Sequence, residues 1–204
     1  ELDVIASTFT SNTAFSGAGI YNTGSSVVVN SSAFTSNSAG NAGGGIFNIK
    51  SIKINNSSFS LNVAGAAGGG VYAAGSGTTT VINNSSFISN SAPNDAGGAI
   101  YNYVSDGSSI LQVYNSNFEG NSSRWGGAIY SLNDGTSSTI VNSVFNSNTS
   151  TYAGANLGGG AISGGNVKIL NSTFSENTAY DGGAFFASNV VLSNSIFTNN
   201  TATH

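Results

Sequence analysis

Apolar residues recur along this chain in three columns that share one period. The first is Phe followed three residues later by Asn, at Phe9/Asn12, Phe34/Asn37, Phe59/Asn62, Phe87/Asn90, Phe118/Asn121, Phe145/Asn148, Phe174/Asn177 and Phe197/Asn200. The second lies five residues before each Phe and holds only β-branched residues or Leu: Val4, Val29, Ile54, Ile82, Val113, Ile140, Ile169 and Leu192. The third closes a Gly-rich motif and falls between the Phe copies, at Ile20, Ile46, Val71, Ile100, Ile129, Ile162 and Phe185. Successive Phe residues are 25, 25, 28, 31, 27, 29 and 23 apart, so the period holds while turns absorb insertions.

Around the second column the residue seven before Phe is mostly apolar (Leu2, Val27, Ile52, Leu111, Val167, Val190), and the residue between varies (Asp3, Val28, Lys53, Gln112, Thr139, Lys168). That alternation is the signature of a strand with one face inward. Each period is expected to supply three short strands: one before the Phe, one around Phe-x-x-Asn and one at the Gly-rich motif. Three strands per coil of this length predict an all-β fold, a right-handed single-stranded parallel β-helix of about eight coils, filling 1–204 as one domain. Coils lie about 4.8 Å apart, so Phe rings form a stack and the Asn side chains a ladder that answers each buried amide from its neighbours. Gly44-Gly45, Gly69-Gly70 and Gly182-Gly183 are expected at a corner with positive φ or no room for Cβ. Asn56, Asn84, Asn115, Asn142, Asn171 and Asn194, three before their Phe, read as a second inward polar column.

Composition agrees with one uniform solenoid. Only 12 residues are Asp, Glu, Lys or Arg, yet the chain is 39% hydrophobic, so Ser, Thr, Asn and Gly must solvate its surface. The net charge of −4 and the four Lys and Arg exclude a nucleic-acid partner, which needs clustered cations. No stretch reaches the roughly 20 apolar residues of a membrane-spanning helix. The absence of Cys removes disulfides and thiolate metal sites. The chain reads as a segment of a longer protein or as a filament subunit, with neither end carrying the polar face of a capping repeat.

Asn171-Ser-Thr-Phe-Ser-Glu-Asn-Thr-Ala followed by Asp181-Gly-Gly-Ala resembles the repeats of chlamydial polymorphic outer-membrane (Pmp) proteins, defined by Phe-x-x-Asn and Gly-Gly-Ala-[Ile/Leu/Val]. It resembles equally the repeats of large bacterial surface proteins of right-handed parallel β-helix type. The first coil departs from the pattern with Gly17-Ala18-Gly19, and the last lacks the Gly motif. The resemblance implies an extracellular or cell-surface, adhesin-like module with no cofactor.

Candidate chemistry is sparse. Polysaccharide lyases on β-helices need clustered carboxylates for Ca²⁺ and a basic residue. Here only Asp95 and Arg124 share a column, which reads as an exposed ion pair. Asp106 and Asp134 sit in longer loops of adjacent coils, His204 is terminal, and Trp125 reads as packing. No catalytic and no metal site is therefore expected. If the third column points inward, Tyr21, Phe47, Tyr72, Tyr101 and Tyr130 point outward as an aromatic stripe. It suits glycans or a protein partner, unless the rings simply stack on one another. Of nine Asn-x-Ser/Thr matches, Asn30, Asn55 and Asn83 are expected to be more accessible than Asn121 or Asn148 of the ladder. Three classes stay open: a surface adhesion or spacer module, a subunit that stacks end to end, and a polysaccharide-active enzyme.

Overall fold

Alternating strands of β-branched and aromatic residues, broken by single residues that can turn the chain, wind into a parallel β-solenoid. The computed structural model describes residues 1–104, 107–131, 135–153 and 158–204. All strand pairings among the described residues are parallel, with Phe paired to Phe from coil to coil, as in Phe9↔Phe34, Phe59↔Phe87 and Phe145↔Phe174. Three sheets result, one of 13 strands and two of 8, with about 27 residues per turn.

The third side is not where the sequence pattern puts it. In the first coil the strands are Leu2–Ile5, Thr8–Thr10, Thr13–Ala14 and Ile20–Asn22. The short strand just after Asn12 founds the third sheet, whereas the Gly-motif strand joins the same sheet as the strand before the Phe. The two become one nine-residue strand at Ile162–Leu170 and at Phe185–Ser193. The pattern misses the third sheet because its strands are mostly two residues of Ser, Thr and Ala, too short to show a period.

Corners use isolated left-handed residues. Asn56, Asn84, Asn115, Asn142, Asn171 and Asn194 have φ between 46 and 50° and are exposed, so the expected inward Asn column is corrected. Asn tolerates this region better than most side chains, and the bend it makes turns the next residue inward. At the Asn corners and their Ser31 counterpart that next residue is Ser32, Ser57, Ser85, Ser116, Ser143 or Ser172, all buried, and in the last coil Ser195, half-buried. Each of these hydroxyls donates to the carbonyl two residues back and accepts the backbone N–H of the preceding coil's Ser, as in Ser57 Oγ to Asn55 O at 2.7 Å and Ser32 N to Ser57 Oγ at 3.1 Å.

The core is the Phe stack with its aliphatic columns. Phe34, Phe59, Phe87, Phe118, Phe145 and Phe174 are fully buried, and their rings lie 4.7–4.9 Å apart within 5° of parallel.

The Asn ladder runs without a break from Asn12 to Asn200, but its burial is not uniform. Asn37, Asn62, Asn90, Asn121, Asn148 and Asn177 are fully buried, whereas Asn12 is exposed and Asn200 half-buried. The expectation of eight buried amides is corrected at those two ends, where no further coil covers the side chain. Each Asn up to Asn177 donates its backbone N–H and its Nδ2 to the Oδ1 of the next coil's Asn. Asn37 shows the full set: its Oδ1 accepts from Asn12 N and Nδ2 at 3.1 and 2.8 Å, and its own N and Nδ2 reach Asn62 Oδ1 at 3.1 and 2.9 Å. Its Nδ2 also donates to the preceding coil's Phe carbonyl, Phe9 O, at 2.9 Å, as Asn62 does to Phe34 O.

At Gly44-Gly45 and Gly69-Gly70 the left-handed φ belongs to the residue before the expected pair, whereas Gly182-Gly183 has none. Gly43 and Gly68 have φ of 68°, while a Cβ on Gly44 would meet Gly69 O at 2.3 Å and one on Gly69 would meet Gly98 O at 2.3 Å. Both physical reasons for glycine hold, at adjacent positions.

Candidate functional site

The Gly-motif strands decide which way the aromatic stripe faces. Their register pairs Tyr21↔Phe47, Phe47↔Tyr72, Tyr72↔Tyr101 and Tyr101↔Tyr130. Ile46, Val71, Ile100 and Ile129 beside them are fully buried, so alternation sends the five rings outward. Tyr21 is 60% exposed and the other four are half-buried. In the same register the column continues to Ser163 and then Phe186, so Tyr130 is its last contiguous ring.

The rings do stack on one another. Centroids are 4.8, 4.7, 4.9 and 5.6 Å apart from Tyr21 to Tyr130, with planes within 12° of parallel. Each interior ring therefore has both faces covered by its neighbours, and what it offers solvent is an edge and, for the tyrosines, a phenol hydroxyl. Packing removes the phenols from water and raises their pKa: Tyr72 and Tyr101 are pushed up by burial, and Tyr130 is pushed up to about 12. The Asp95 carboxylate adds to all three by like-charge repulsion of a phenolate.

Tyr103 escapes the sequence pattern although it follows Tyr101 by two and so has the same parity. Its ring meets Tyr101 at 61° and Tyr130 at 50°, both with centroids 5.8 Å apart. Since Tyr101 is stacked on both sides, it meets Tyr103 with its edge, and Tyr103 lies across the row. A cleft beside it is lined by Tyr72, Ala74, Gly75, Ser76, Tyr101 and Tyr103.

On the other flank the expected Asp95–Arg124 ion pair is corrected: the two charges form no contact within 4 Å. Arg124 instead places its guanidinium 4.8 Å from the ring centroids of both Trp125 and Tyr152, a cation–π arrangement. A bulge at Ala92–Ala96, where Pro93 cannot donate to the ladder, shifts the register there. Burial raises the Asp95 pKa, and Arg124 acts against that rise. Trp125 Nε1 is buried with no hydrogen-bond partner among the described residues.

The remaining candidates scatter. Asp106 and Asp134 lie outside the described residues. His204 stacks on Tyr180 at 4.7 Å and its Nδ1 is 3.6 Å from Asp181, at the end of the molecule away from Asp95. The ladder residues Asn37, Asn121 and Asn148 are fully buried and offer no atom to a ligand. Asn30, Asn55 and Asn83 are half-buried and their amides bond to one another at 2.7 and 2.9 Å. Among the described residues no helix is long and apolar enough to cross a membrane.

The Chlamydia polymorphic membrane protein (Chlamydia_PMP) repeat matches residues 78–103, 115–132 and 171–188. The first stretch holds Phe87-x-x-Asn90 and Gly97-Gly98-Ala99-Ile100, the second Phe118-x-x-Asn121 and Gly126-Gly127-Ala128-Ile129, the third Phe174-x-x-Asn177 and Gly182-Gly183-Ala184-Phe185. The Phe stack, the Asn ladder and the Gly corner are thus the physical content of the repeat. No curated protein and no solved structure matches the chain.

Proposed function

From a three-sided β-solenoid that carries Chlamydia polymorphic membrane protein repeats, we propose a rigid, non-catalytic adhesive spacer of the cell surface whose contact face is the tyrosine row. The fold and the repeat together fit a surface structural module. The observation that carries the contact face is the unbroken register of Tyr21, Phe47, Tyr72, Tyr101 and Tyr130 on one outward column, flanked by Asp95 and by Arg124 on Trp125 and Tyr152. Half-buried tyrosines with neutral hydroxyls give large contact area at small entropic cost, which is why such rings are frequent in recognition surfaces. A fixed row keeps that advantage because no side chain has to be ordered on contact.

The test is adhesion by display. Beads carrying the chain are offered to epithelial cells, to glycan arrays and to immobilised extracellular proteins, beside beads carrying Tyr72→Ser/Tyr101→Ser/Tyr130→Ser. Loss of adhesion of roughly tenfold or more in the triple variant, with circular dichroism unchanged, is the expected result. Equal adhesion of the two would remove the contact face from this column. Turnover of acidic glycans that disappears with Asp95→Asn or Asp181→Asn would replace the non-catalytic reading.

Stacking of isolated chains end to end is a second reading, favoured by the last coil, where Val190, Leu192 and Phe197 of the core columns are 43, 46 and 38% exposed. Sedimentation at rising concentration separates it: one monomer boundary throughout is inconsistent with it.

A further inference from the structure

We infer that Tyr103 is a stacking platform for a neutral pyranose, and that the cleft beside it is the centre of glycan contact. The inference rests on the adhesive reading of the tyrosine row and names its ligand class. Carbohydrate recognition by aromatic residues uses the face of a ring, against which the C–H bonds of a sugar lie, with polar groups at the rim to hold its hydroxyls. The row cannot supply such a face along its length. Phe47, Tyr72 and Tyr101 each have rings 4.7–5.6 Å away on both sides and nearly parallel, so both faces of each are covered.

Tyr103 differs in geometry. Its ring crosses Tyr101 at 61° and Tyr130 at 50°. Neither neighbour lies parallel over it, so no ring among the described residues stacks on its faces as the rings of the row stack on one another. The ring stays half-buried, held by the row beneath it, so little side-chain freedom remains to be lost on binding.

Polar groups stand at its rim. Tyr72 and Tyr101 line the same cleft as Tyr103, with the exposed Ser76 and the backbone of Gly75. A neutral phenol both donates and accepts, which suits sugar hydroxyls, and the cleft contains no cation to pair with a sugar carboxylate. The four Lys and Arg of the chain are Lys50, Lys53, Arg124 and Lys168, none of which lines it. Asp95, whose charge is felt by Tyr72, Tyr101 and Tyr130, would repel an acidic sugar. The ligand class is therefore a neutral hexose or a neutral oligosaccharide laid along the row, where successive sugars meet successive coils at about 4.8 Å.

The experiment uses the full 204-residue chain with maltohexaose, cellohexaose, mannohexaose and polygalacturonate hexamer as probes, followed by saturation-transfer difference NMR and calorimetric titration. Binding of at least one neutral hexamer is expected, with no binding of the acidic one. Tyr103→Ala is expected to weaken it tenfold or more, whereas Tyr103→Phe, which keeps the ring face, stays within about twofold. Equal losses for Ala and Phe would mean that the hydroxyl and not the face is used, and would overturn the platform. Binding of the acidic hexamer alone would overturn the ligand class. If no neutral hexamer binds while display-based adhesion still depends on Tyr72, Tyr101 and Tyr130, this inference fails and the adhesive reading stands. If adhesion is also independent of those three, both fail.

Discussion

A single residue type plays two opposite parts in every coil from the third onward, where the corner is Asn and no longer Ala6 or Ser31. Asn90 is fully buried, and its Oδ1 accepts both the backbone N–H and the Nδ2 of Asn62, whereas Asn84, six residues earlier, is exposed at φ 46°. Replacing Asn90 by Ala orphans two buried donors and is expected to cost about 3 kcal/mol, at roughly 1–3 kcal/mol for each unsatisfied group. Asn84→Ala is expected to cost only about 1 kcal/mol, the strain of a left-handed alanine, and Asn84→Gly close to nothing. Urea unfolding of the three variants checks the order. Glycine divides in the same way: Gly98→Ala puts a Cβ 2.2 Å from Gly127 O, while at Gly24 nothing lies within 4 Å. Loss of folded yield for the first, and a stability within about 0.5 kcal/mol of the parent for Gly24→Ala, are expected from expression and thermal scans. The ladder Asn is legible because Phe-x-x-Asn repeats without exception, from Asn37 in the second coil to Asn177 in the seventh as at the two uncovered ends. The corner Asn is not, because a recurring polar residue looks the same whether recurrence serves burial or a bend. Only the following Ser, one position on, carries the inward role.

Strands are legible in proportion to their length. Those before the Phe show alternation over four to six residues, as at Ile52–Asn55 and Thr78–Asn83, and their inward parity follows from it. Thr13–Ala14 and Ser38–Ala39 hold no period, so an entire sheet is silent in the sequence. The Gly-motif strands give the outward parity of the tyrosine row, but not its closest companion, because Tyr103 lies just past Ile100–Tyr101. The stacked row has a titration of its own. The phenols of Tyr72, Tyr101 and Tyr130 are held neutral in the folded chain above the ordinary value of about 10, so the stabilisation they contribute is complete below about pH 10. It is lost as pH rises toward the raised values, because the unfolded chain ionises first. Absorbance at about 295 nm reads the ionisation of the phenols directly. Tyr130 should ionise only near pH 12, with Tyr72 and Tyr101 also delayed or released upon unfolding. A single wave at the ordinary value in the folded protein would contradict the packing of the row.

At the scale of the molecule, stability is a sum over coils and the contacts between neighbours. The matched register allows a coil to be removed whole. Deleting residues 59–86 joins Ser58 to Phe87, and both Ser58↔Ser86 and Phe59↔Phe87 are paired across the cut. The spacing from Phe34 to Phe87, 53 residues, then becomes 53 − 28 = 25, equal to the spacing from Phe9 to Phe34. The shortened chain is expected to fold with the same β-type circular dichroism and, by small-angle scattering, to be shorter by about 4.8 Å. Failure to fold would mean that the coils are not interchangeable units. The repeat and the solenoid are readable from spacing alone. The glycan platform is not, because it depends on which ring faces the stack leaves uncovered, and no spacing encodes that.

The Asn ladder also has a direction. From Asn12 to Asn177 every backbone N–H and one amide hydrogen are answered by the carbonyl oxygen of the Asn one coil later. From Asn37 onward the second amide hydrogen reaches back to the Phe carbonyl one coil earlier. No coil is complete until its successor arrives, and each arrival both closes the coil before it and opens a new acceptor-seeking edge. Growth of the solenoid coil by coil then adds the same set of bonds at each step, like the extension of a one-dimensional crystal. A chain threaded through a narrow passage and folding on the far side would be drawn forward by that increment, coil after coil.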